Sequence, residues 1–103
     1  MTIQQIKAMF VAGSRWSAVR EDLRPVVIHS NTGTTTLPAQ TAATTRIVEK
    51  VGSKDIVFVL DNQQRYWTPL PKAKSVIAAR DGYLQFVIDD ICKVTLQRLP
   101  TAN

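Results

Sequence analysis

One cysteine, one histidine and four glycines in 103 residues leave little material for the commoner kinds of chemistry. The lone Cys92 excludes an internal disulfide framework and any Cys-cluster metal site. The lone His29 excludes a His–His metal pair, and at the end of a short apolar run it reads as an ordinary strand-end histidine. Each glycine has a turn or cap explanation, so none is left to cradle a phosphate. Ser14, Ser17 and Ser30 lack the context of a nucleophile elbow. Asp89-Asp90 is an adjacent acidic pair between two strands, where neighbours point to opposite faces and a solvated turn is the ordinary outcome. No apolar run approaches the ~20 residues that span a bilayer, and the first residues lack a signal-peptide pattern. A non-catalytic protein is therefore expected, without cofactor or metal and away from the membrane. One thiol with no disulfide use suits a reducing, cytoplasmic compartment.

What is present is an ordinary globular composition, 45% apolar and 20% charged, at a length that predicts one small domain. Thr2 and Gln5 form a capping-box pattern. Ile3, Ile6, Met9 and Phe10 then recur at helical spacing, and Gly13 follows where a left-handed C-cap would sit. Beyond Ser14 the period shortens. Trp16 and Ala18 share a strand face, and Pro25 precedes the β-branched run Val26, Val27 and Ile28. Ser30 to Thr45 holds seven threonines and no charge; with few large apolar groups it is expected to be a flexible Thr-rich loop over 30–45. Arg46 to Val51 reads as a strand, and Ile56 to Leu60 as one buried on both faces. Arg65 to Thr68 is strand-like until Pro69 and Pro71. Asp81-Gly82 is the best hairpin signal. Leu84, Phe86 and Ile88 share one face, and Cys92, Val94 and Leu96 alternate cleanly with polar neighbours. The fold expected is mainly β (α+β). An N-terminal helix precedes a five- to six-stranded antiparallel meander, which either curls over the helix or closes into a small SH3-like or OB-like barrel.

The formal charge is +5, from 13 Lys and Arg against 8 Asp and Glu. It is uneven: residues 62–80 hold Arg65, Lys72, Lys74 and Arg80 with no acid. Tyr66 and Trp67 lie in the same segment. Cations for phosphates beside aromatics for base faces are the ingredients of a single-stranded nucleic-acid groove. Arg65, Tyr66, Lys72, Lys74 and Arg80 are thus the candidate nucleic-acid-binding residues, with Tyr66 as the stacking group. Trp67, on the alternate face, is expected inside as a core anchor. Arg15, Arg20 and Arg24 form a second basic group whose position the sequence leaves open. The alternative is a protein-interaction module, such as an accessory or inhibitor protein on a host protein's surface. In that reading the uncharged Thr-rich segment would pair as an added strand or become ordered on binding. An exposed sheet edge also invites a homodimer.

Phe10, Gly13 and Trp16, then Thr44-Thr45-Arg46, Trp67 with Pro71-Lys72-Ala73, Asp81-Gly82, and Thr95 with Leu96, span most of the chain. In that order they resemble small uncharacterised bacterial and phage proteins. The resemblance implies a bacterial or phage origin. Those proteins have no established activity, so it implies no catalytic or binding residue.

Overall fold

The computed structural model describes residues 1–100, and the fold is mostly β with one short N-terminal helix. Helix α1 spans Ile3–Met9. The Thr2 hydroxyl accepts from the Gln5 backbone N–H at 3.1 Å, and the Gln5 side-chain oxygen accepts from the Thr2 N–H at 2.8 Å. This is the capping box expected from the sequence. Two turns of helix do not persist in water unaided; α1 persists because Ile6, Met9 and the following Phe10 are buried. The Phe10 ring lies 4.3 Å from that of Trp16 and meets Phe58 edge-on at 6.3 Å. Gly13 is not the C-cap, a position held by Phe10. Its left-handed φ of +88° instead serves the turn into the sheet, where its N–H donates to the Val48 carbonyl at 2.8 Å.

Nine strands follow: β1 Arg15–Asp22, β2 Val26–Ser30, β3 Gly33–Leu37, β4 Thr41–Val51, β5 Asp55–Val59, β6 Arg65–Pro69, β7 Val76–Arg80, β8 Tyr83–Ile88 and β9 Cys92–Arg98. Seven form one antiparallel sheet in the order β6-β5-β4-β1-β9-β8-β7. Two three-stranded meanders, β4-β5-β6 and β7-β8-β9, are thus joined by β1 between them. The sheet does not close: β6 and β7 are unpaired edges, so neither SH3-like nor OB-like closure occurs. Pro69 ends β6 without an N–H to offer, and Pro71 follows it.

The sheet is nonetheless strongly curled. In a flat sheet, six interstrand steps would part β6 from β7 by roughly 29 Å. The seven Cα steps from Pro69 to Val76 reach at most about 25 Å, and the 3₁₀ turn at Ala73–Ser75 shortens them further. The curl creates a concave face. On it lie Trp16, Ala18, Val48, Ile56, Phe58, Leu84, Phe86, Cys92, Val94 and Leu96, buried in one cluster with α1. Val57 is also buried but outside that cluster; its cross-strand partners are Lys50 and Trp67 on the convex face. The continuous apolar run of β5 is explained accordingly.

The Thr-rich stretch is not the expected loop. Gly33–Leu37 is β3, paired with β2, and Thr41–Thr45 is the first half of β4, paired with β1. Threonine is β-branched and suits a strand. The scarcity of large apolar groups reflects exposure on both faces, not a lack of regular structure. The β2–β3 pair stands apart as a two-stranded ribbon, with every residue exposed. The radius of gyration is 15.2 Å, against about 13 Å for a compact chain of this length.

Because Phe10 couples α1 to both Trp16 and Phe58, Phe10→Ala is expected to cost about 3–5 kcal/mol. Urea unfolding measures this, and a loss under about 1 kcal/mol would show that the helix contributes little to the core.

Candidate functional site

The five candidate nucleic-acid-binding residues occupy separate places. Arg65 is on the convex face of β6, its Nη2 2.9 Å from the Glu49 carboxylate. Arg80 is on β7, the opposite edge strand, with its guanidinium 3.9 Å from the centre of the Tyr83 ring. Lys72 and Lys74 line an open groove of about 620 Å³ whose lining also includes Asp89 and Asp90. Acids therefore interleave with the cations that the sequence grouped together. Tyr66 is on the concave side, 38% exposed, with the Arg46 guanidinium 4.3 Å from its ring centre. Trp67 is the aromatic that faces outward, at 58% exposed, contrary to its expected place as a core anchor. The two side chains point to opposite faces, as alternation requires, yet both are exposed, because Tyr66 lies at the open end of the concave face. The core anchor is Trp16; the β5–β6 register sets Tyr66 opposite Phe58 and Trp67 opposite Val57, which puts the second indole on the convex face. The Arg15–Arg24 group is likewise divided: Arg20 borders a concave-face cavity, while Arg24 Nη2 donates to the Asp90 carbonyl at 3.2 Å.

Two features that the residue pattern did not single out are better formed. The first is the ribbon. Val26, Ile28 and Leu37 share one of its faces and Val27 the other, and each is 40–50% exposed. No Lys, Arg, Asp or Glu occurs between Pro25 and Gln40. The ribbon is held locally by Ser30 Oγ, which donates to the Gly33 carbonyl at 3.1 Å, and by Thr34 Oγ1 against His29 Nδ1 at 3.3 Å. Its base is fixed by the Asp22 N–H on the Gln40 carbonyl and the Leu23 N–H on the Ile91 carbonyl, both at 2.9 Å. The β-branched run Val26 to Ile28 signalled a strand, but its exposure on both faces is a property of the folded chain.

The second feature is a cavity of about 240 Å³ on the concave face, at the end away from α1. Ala18, Ile88, Ile91, Cys92 and Val94 give it apolar walls, and Arg46, Tyr66 and Thr68 border it. Arg46 is only 9% exposed. Its Nε donates to Thr44 Oγ1 at 2.9 Å and its Nη1 to Thr68 Oγ1 at 3.2 Å. Burial lowers its pKa, an effect opposed by Tyr66 and reinforced by Arg20. A signal for Arg46 did exist, since it has the same strand parity as Val48 and is therefore in phase with the core.

Among the described residues no group of three or more His, Cys, Asp or Glu comes together to hold a metal ion, and no helix is long and apolar enough to cross a membrane. Comparison with family models, curated proteins and solved structures finds no match to this chain.

The contrast between the two indoles is measurable. Acrylamide quenching should resolve an accessible and a protected tryptophan population, and Trp67→Phe should remove the accessible one while leaving thermal stability within a few degrees. A single protected population in the unaltered protein would contradict the outward placement of Trp67.

Proposed function

We propose that this protein is a non-catalytic interaction module that engages a partner protein through the β2–β3 ribbon. The observation that carries the reading is an uncharged two-stranded ribbon with four half-exposed aliphatic side chains, outside the seven-stranded sheet and its core cluster among the described residues. An isolated hairpin is marginal in water, and this one is anchored at its base to Gln40 and Ile91. Burying what remains exposed of the four side chains is worth about 4 kcal/mol before ordering costs.

The occupant that fits is an apolar groove on a different protein. Stacking two ribbons face to face would cover roughly 17 Å by 10 Å on each, far below the ~800 Å² per partner of a stable interface. Insertion into a groove buries both faces, and this ribbon carries aliphatic groups on both. The absence of cations between Pro25 and Gln40 counts against phosphate as its target.

Nucleic-acid binding through Arg65, Lys72, Lys74 and Arg80 is the competing reading. It is supported by the net charge of +5 and by the exposed Trp67 next to Arg65, a stacking group in place of Tyr66. What weighs against it is the pairing of Arg65 with Glu49 and the acids beside Lys72 and Lys74.

The test compares the unaltered protein with the Val26→Thr, Ile28→Thr, Leu37→Thr triple variant in nuclease-treated extract of the source cells. One stoichiometric protein should be recovered at both low and physiological salt, and lost with the variant. The melting temperature should shift by no more than a few degrees, because the ribbon does not pack on the core. If the triple variant leaves recovery unchanged, the ribbon reading is wrong. If instead the protein binds a single-stranded oligonucleotide, weakens steeply as salt rises, and loses binding on replacing Arg65, Lys72, Lys74 and Arg80, the nucleic-acid reading takes its place.

A further inference from the structure

We propose that the concave-face cavity beside Arg46 binds the carboxylate of a small, largely apolar acid. The inference is independent of the ribbon.

Arg46 is nine-tenths buried and has no carboxylate partner: the ion pairs among the described residues are Arg65–Glu49, Lys93–Glu21 and Arg98–Asp81. A buried cation without a counter-charge is costly to keep, and the folded chain does not offset that cost with an acid of its own. Two threonine hydroxyls take Nε and Nη1, the Tyr66 side chain also engages the guanidinium, and Nη2 is not sealed from solvent. Tyr66 on one side at 4.3 Å, and Phe58 at 5.6 Å, restrict the plane of the guanidinium. A planar fork held in this way is suited to the two oxygens of a carboxylate.

The walls define the rest of the ligand. No Asp or Glu lines the cavity, and Ala18, Ile88, Ile91, Cys92 and Val94 supply apolar surface. At about 30 Å³ per water, 240 Å³ is room for roughly eight to ten non-hydrogen atoms. One buried cation matches one negative charge, and Arg20 at the border adds long-range attraction without being buried. A free phosphate would satisfy the cation but leave the aliphatic walls unused. A neutral apolar molecule would fill the walls but bring no negative charge to the guanidinium.

Benzoate is a probe of the right charge and size. Titrated into the full chain and followed by amide chemical shifts, it is expected to saturate with a Kd on the order of 1 mM or below, with the shifts centred on Ala18, Arg46, Thr68 and Cys92. Benzyl alcohol and inorganic phosphate should each bind at least about tenfold more weakly. Arg46→Met should abolish benzoate binding. Thr68→Val, which leaves the cation in place and removes one hydroxyl that orients it, should weaken binding several-fold, and it keeps the test decisive should Arg46→Met fail to fold. Equal binding of benzoate and benzyl alcohol, benzoate affinity unaffected by both substitutions, a preference for phosphate, or no saturable shift would each overturn the assignment.

Discussion

The link from Pro69 to Val76 is too short to cross a flat seven-stranded sheet, and the rest of the structure follows from that constraint. The edges must curl toward each other, and curling separates the two faces into a concave interior and a convex exterior. A concave surface cannot stay wet with Phe58, Leu84, Phe86 and Leu96 on it, so α1, with Phe10 against Trp16 and Phe58, fills one end. The helix has only two turns and covers no more than that end. The other end is left with a cavity, bordered by the buried Arg46.

Charge is arranged differently from its arrangement along the chain. Arg65, Lys72, Lys74 and Arg80 follow one another in sequence, but β6 and β7 are opposite edges, and each cation acquires its own surroundings: a carboxylate, a groove shared with acids, an aromatic ring. Exposed pairs of this kind contribute little to stability. Arg46, by contrast, is inside, held by hydroxyls and aromatic faces rather than by an opposite charge. The most basic segment by count is thus electrostatically mixed, while a single arginine outside it is a buried cation with no carboxylate partner among the described residues.

Legibility in the sequence followed the strength of local patterning. The capping box at Thr2 and Gln5, the hairpin at Asp81-Gly82 and the alternation of Cys92, Val94 and Leu96 depend on neighbours within a few residues, and each was readable. The Thr-rich strands were not. Their pairing is satisfied by β1 and β2, and nothing in a run of threonines announces a ribbon exposed on both faces. Trp67 failed for a related reason: an indole tends to be buried, but its face is set by the pairing of β6 with β5, which puts Tyr66 opposite Phe58 and Trp67 opposite Val57. Arg46 shared the parity of Val48, a legible sign of burial, yet a cation in phase with the core reads as an exposed strand end until its hydroxyl partners are seen.

By itself the sequence determined the β-rich class, the N-terminal helix and most strand faces, because period-2 and period-3.6 patterns record which side of each element is apolar. It also determined how few groups are present for catalysis. Only the tertiary structure decided that β1 lies between two meanders, that the sheet curls without closing, that the Thr-rich segment enters a ribbon exposed on both faces, and that Arg46 borders a cavity. Each depends on which distant residues meet, and that is fixed by chain connectivity and by competition for a small interior rather than by any local run of residues.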